Sequence, residues 1–205
     1  MTSYRQTYKN SCGAATLLCA IIDLGYTHLP ADPSLHPLWV GGADLTKGPT
    51  KQAETIIYAV TSGCDRCPDN GSGYSLPSRI AKVCQAIDLK AQVYVPSEIV
   101  PSLLLLFYPN EMSHATRNGM ETERTAPPKP IGNELLLRVI RVGGDRMFGV
   151  NLGLHYVLER PNNWVMDPAL GWEHSSLDQL ILFHKKMYQT SYVDSGLGIL
   201  LSKNN

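Results

Sequence analysis

Three features of the chain predict an α+β fold. Stretches with helical apolar spacing fill the N-terminal half, apolar strand-like runs fill the C-terminal third, and the two kinds do not alternate. Of the 205 residues, 43% are hydrophobic and 18% charged, enough apolar surface for a real core and too little charge for disorder. That length suits one domain, expected over 1–205 with a loop insertion at about 108–133.

The first helix opens at Cys12, in CGAATLLCAIIDLGY. Asn10 and Ser11 offer N-cap oxygens and Gly25 a left-handed stop. Leu17, Leu18, Ile21, Ile22 and Leu24 cover more than one face, which predicts a central helix surrounded by protein. Gly13, Ala14 and Ala15 leave room for close packing at its first turn. A Pro- and Gly-rich connection follows from about Pro30 to Pro49. A second helix is predicted over about Lys51–Thr61 and a third over Pro77–Ile87, with Ile80, Val83, Cys84 and Ile87 on one stripe.

AQVYV then reads as a strand and Ser102–Phe107 as one or two apolar helical turns. Periodicity vanishes from Tyr108 to Asn133. The segments Glu134–Val142 and Val150–Leu158 read as buried strands, Trp164–Asp167 as a hairpin partner, Leu177–Met187 as a helix capped by Ser175 or Ser176, and Tyr192–Leu201 as a closing strand. The C-terminal sheet is expected to be antiparallel.

The chemistry gathers at a few positions. A helix N-terminus presents unpaired amides and positive potential, which favour a thiolate and can bind an oxyanion. Cys12 stands at such a place. A thiolate nucleophile also needs an imidazole and a group that orients it. His155 lies inside the apolar strand GLHYVLER, sharing a face with Val157, while Leu154, Tyr156 and Leu158 take the other. A three-residue hairpin loop Arg160-Pro161-Asn162 would pair Glu159 with Asn163 and set His155 opposite Asp167 on one face; a two-residue loop would put Asp167 on the wrong face. Asn163 is the fallback orienter. Gln6 could supply a side-chain oxyanion donor beside the Cys12 amide.

Taken together, Gln6-x5-Cys12-Gly13-Ala14-Ala15, Leu154-His155-Tyr156-Val157 and Met166-Asp167-Pro168-Ala169-x-Gly171 make the chain resemble papain-like cysteine peptidases. The likeness is greatest to the double-glycine leader peptidases that mature bacteriocins, and to their stand-alone relatives. In that family a glutamine, a Cys-Gly at a helix start, a His-Tyr strand and an Asp-Pro-x-x-Gly follow in the same order. Gly73-Tyr74-Ser75-Leu76-Pro77 onward also looks like the second helix region of stand-alone members. The resemblance implies a papain-like fold, its nucleophile on a central helix packed against the sheet. It assigns Cys12 as nucleophile, His155 as general base and acid, Asp167 as orienter and Gln6 as oxyanion donor. The chain between Cys12 and His155 is longer than in transporter-linked peptidases, chiefly around Gly41–Gly71 and Tyr108–Asn133.

The expected activity is hydrolysis of a peptide bond through a thioester on Cys12, on a peptide or protein substrate. A glutamine deamidase or acyltransferase effector needs the same groups and is the rival enzyme; a catalytically inactive peptide-binding domain is the rival module. Net charge is zero, which argues against nucleic acid or an anionic membrane as partner. No cofactor or metal is expected. Cys64 and Cys67 have metal-like spacing but no second pair, and Cys19 and Cys84 fall on apolar helical faces. The longest apolar run, Ile99–Tyr108, is too short to span a membrane, and MTSYRQTYKN has no secretion-signal core. A cytoplasmic location, or delivery by a dedicated secretion apparatus, is expected.

Overall fold

Helix α1 spans Cys12–Asp23 and is buried along nearly its whole length. Gly25, at φ +82°, follows it in the left-handed conformation that closes a helix at little cost. Ser11 precedes it without capping it: its hydroxyl is engaged elsewhere. This computed structural model describes residues 1–96, 110–143 and 153–204.

Helix α2 (Lys51–Ser62) packs beside α1, and α3 (Pro77–Ala86) packs against α2. The Thr50 hydroxyl caps α2 by accepting from the Ala53 amide, and proline opens α3. Between α1 and α2, the two-residue strands β1 (His28–Leu29) and β2 (Ala43–Asp44) pair antiparallel around a 3₁₀ turn, Pro37–Trp39, that buries Trp39.

The main sheet has seven strands: β3 (Leu89–Tyr94), β4 (Glu121–Glu123), β5 (Leu135–Val142), β6 (Gly153–Glu159), β7 (Val165–Asp167), β8 (Trp172–His174) and β9 (Tyr192–Lys203). Their order is β4-β3-β9-β5-β6-β7-β8. One face, with Leu137, Val139, Tyr156, Leu158 and Ile199, packs on α1 and α3; the other, with Ile140, Val157, Val165 and Tyr192, packs on helix α5 (Leu177–Tyr188). Period-two alternation along β5 and β6 divides these side chains between the two cores. The Ser176 hydroxyl caps α5.

Three further expectations need correction. The sheet is mixed, because β4 runs parallel to β3. The stretch 108–133 holds β4 and a short helix, α4 (Glu111–Arg117), rather than unbroken loop. Ala115 and Met120 are buried there, and the Glu111 carboxylate accepts the Ser78 amide at the start of α3. A seven-residue helix and a three-residue exposed strand are too short to show periodicity. The third correction is the β6–β7 register: Glu159 pairs with Val165 and Leu158 with Met166. The Arg160 amide bonds the Trp164 carbonyl, so the turn is Pro161-Asn162-Asn163, with Asn163 at φ +66°. The slip is two residues, so every side chain keeps its face. The apolar turns at Ser102–Phe107 and the start of the Val150 strand lie outside the described residues.

Candidate active site

The loop before α1 is held from below by a buried carboxylate. Glu54, fully buried on α2, accepts from the Tyr4 hydroxyl at 2.9 Å, the Thr7 amide at 2.9 Å and the Ser11 hydroxyl at 2.6 Å. Sequence reasoning missed it; the signal was a lone acid inside the apolar run of α2. The loop continues into Cys12, buried in the first turn of α1, whose leading amides have no intrahelical acceptor. Ser75 and Tyr156 fill the space left by Gly13: a Cβ there would lie 2.5 Å from the Ser75 Cβ and 3.1 Å from the Tyr156 Cδ2.

His155 extends from β6 on the face opposite Tyr156, and its Nε2 lies 2.7 Å from Asp167 Oδ1. Asp167 sits diagonally across the hairpin rather than opposite, and the side chains span the offset. A carboxylate accepts only, so Nε2 carries a proton in this bond and Nδ1 is not engaged by Asp167. The Cys12 sulfur acts on the same ring through hydrogen bonding and charge. Burial alone would lower the His155 pKa, but the bonds to Asp167 and Cys12 outweigh it and raise it to about 10. Burial also works against the Asp167 carboxylate, but hydrogen bonds from His155 and His184 and the nearby imidazolium charge hold it far below the usual range.

The N-terminal segment closes over the hairpin. The Gln6 amide donates to the Pro168 carbonyl at 2.8 Å, and Gly171, at φ +70°, lets the backbone of Arg5 pass against it. The Gln6 side chain has both Nε2 hydrogens on carbonyls of its own loop, Tyr8 at 2.8 Å and Lys9 at 2.9 Å, while its Oε1 is buried without a partner. Asn163, the fallback orienter, lies in the turn instead.

His184 is a further group that sequence reasoning missed. It lies on α5, four residues after Leu180 on the buried stripe, where a histidine resembles core, and its Nε2 is 2.7 Å from Asp167 Oδ2. Cys64 is half-buried and Cys67 exposed; among the described residues, no three or more His, Cys, Asp or Glu side chains gather as a metal site. Nor is any described helix long and apolar enough to cross a membrane. A cavity of about 470 Å³ opens at the far end of α1, beside Asp23, Arg160 and Lys203.

Residues 4–204 match the family model described as "Invasion plasmid antigen J, cysteine protease". The chain belongs to the IpaJ cysteine protease family. Cysteine protease IpaJ of Shigella flexneri is 28% identical over 207 residues, covering 97% of this chain and 77% of that protein. No solved structure matches the chain. As an IpaJ-family member it is a cysteine protease, and the peptidase reading stands over the deamidase and the inactive binding domain.

Proposed function

We propose that this protease cuts peptide bonds with Cys12 as nucleophile, His155 as general base and acid, and Asp167 as orienter. The Cys12 sulfur attacks the scissile carbonyl, forming a tetrahedral oxyanion. That oxyanion collapses to a thioester as the imidazolium gives its proton to the departing amine. His155 then takes a proton from water, which attacks the thioester and frees Cys12. The observation that carries this reading is the 2.7 Å bond from His155 Nε2 to Asp167, which leaves Nδ1 available to Cys12.

The Cys12 amide is one oxyanion donor in this reading and Gln6 the other. To donate, Gln6 must exchange one loop carbonyl for the substrate oxygen; the bond to Lys9 is exposed, and the unpaired Oε1 leaves the side chain incompletely satisfied where it stands. A papain-like arrangement, and kinship with the double-glycine leader peptidases, are supported by the order Gln6, Cys12-Gly13, His155-Tyr156, Asp167-Pro168. Profiling a peptide and protein library with wild type beside Cys12→Ala tests the proposal. Backbone cleavage by wild type alone is the expected result; ammonia release without a cut, or cleavage by the variant, would overturn it.

A further inference from the structure

We infer that His184 is a positioning residue of this site: its Nε2–H fixes the Asp167 carboxylate so that Oδ1 stays turned toward His155. The inference rests on the Cys12–His155–Asp167 reading above.

Asp167 is fully buried, so each carboxylate oxygen depends on protein donors. Oδ1 receives His155 Nε2 at 2.7 Å and the Ala169 amide at 2.9 Å, and Oδ2 receives His184 at 2.7 Å. Without His184, Oδ2 would lack this donor, and the group would be driven to take up a proton or turn away. Either change weakens the anion that supports a charged His155.

The His184 ring is itself fixed. It is buried and stacked on Tyr192, with centroids 3.8 Å apart and planes 11° from parallel, and Tyr192 in turn lies against His155. The Thr190 amide bonds the His184 carbonyl at the end of α5. The titratable groups around it are Asp167 and His155, His174 on β8, Tyr188 on its own helix, Tyr192 on β9, and Cys12, which acts on Tyr192 by charge. Burial lowers the His174 pKa.

Alkylation of Cys12 by iodoacetamide, followed against pH by peptide mass spectrometry, tests the inference without a substrate. His184→Phe removes the donor but keeps an aromatic ring for Tyr192; His184→Gln keeps a donor. At pH 6, His184→Phe is expected to slow Cys12 alkylation about tenfold, equivalent to one pKa unit in the Cys12–His155 pair, and His184→Gln to restore most of it. A wild-type profile for His184→Phe, with Asp167→Asn and His155→Asn both slowed, would overturn the role of His184 and leave the catalytic reading standing. Equal losses in His184→Phe and His184→Gln would overturn it too, by showing that the donor is irrelevant. Unchanged profiles for Asp167→Asn and His155→Asn would sink both. Imidazole ¹⁵N spectra of wild type provide a test that needs no variant: a proton on His184 Nε2 between pH 5 and 8 is expected, and a proton on Nδ1 alone would overturn the inference.

Discussion

Cys12 and Cys19 lie on the same helix, two turns apart, and both are buried. Cys19 is enclosed by apolar neighbours; burial first, and then the charge of Asp23, pushes its thiol well above the ordinary value. Cys12 meets the ring of His155, with Asp167 behind it. On the proposed reading, reactivity on α1 depends on which end of the helix holds the sulfur and what stands opposite.

The sharpest way to break this contrast is selective alkylation. Iodoacetamide at neutral pH should label Cys12 at least about a thousand times faster than Cys19 or Cys84, whose thiol burial pushes up to about 12. Comparable labelling of Cys19 in the folded chain would erase the difference. Cys12→Ala should abolish cleavage, whereas Cys19→Ala should keep it and lose about 1 kcal/mol of stability from a small cavity.

Gln6→Ala comes next. If Gln6 donates to the oxyanion, its loss should slow single-turnover acylation about a hundred- to a thousandfold while alkylation of Cys12 persists. A lower Tm with an unchanged acylation rate per folded molecule would instead make Gln6 only a tether for Tyr8 and Lys9.

A smaller effect is expected from Gly13→Ala. Helix propensity gains about 1 kcal/mol, but the new Cβ meets Ser75, which is buried and bonded to Thr61 at 2.8 Å. Overpacking costs about 1–3 kcal/mol, so a net loss in urea denaturation is expected, with slower Cys12 alkylation as the first turn shifts. A more stable variant with unaltered alkylation would show that the turn has slack.

The last effect is on stability against pH. His155 holds its proton to about pH 10 when folded, against about 6.5 when free. A raised folded pKa stabilises fully below about pH 6.5, and that contribution is lost as pH rises toward 10. Asp167 is the reverse: its contribution is present above about pH 3.9 and is lost as pH falls through the depressed folded value. The Tm advantage of wild type over His155→Gln should therefore shrink from pH 6.5 to 10. A constant gap would mean that the ring is not the charged partner.

Much of this was legible in the residues. Helices α1 to α3 followed from apolar spacing and end signals, and the shared face of His155 and Asp167 from the parity of the hairpin. The register was not, because Asn162 and Asn163 both suit a left-handed turn and nothing local says which takes it. The parallel β3–β4 pair depends on contacts across a crossover, which no local pattern encodes. His184 and Glu54 sat inside apolar stripes, where only their partners distinguish a site from a core. The side-chain amide of Gln6 was placed by spacing alone, and spacing says nothing of the carbonyls that occupy it.

The bond from Gln6 to Pro168 also ties the segment before Cys12 to the hairpin that carries Asp167. A chain emerging from the ribosome presents Cys12 early, long before His155 and Asp167 exist. The Arg160 guanidinium grips the Thr2 carbonyl across 158 positions and ion-pairs with Asp23, so the N-terminal strap docks only when the hairpin has formed. Contacts of such separation must offset a loop-closure entropy before they stabilise the fold. In the proposed mechanism the sulfur of Cys12 and the imidazole of His155 work together only in a chain where this strap, α1 and the hairpin are docked on one another.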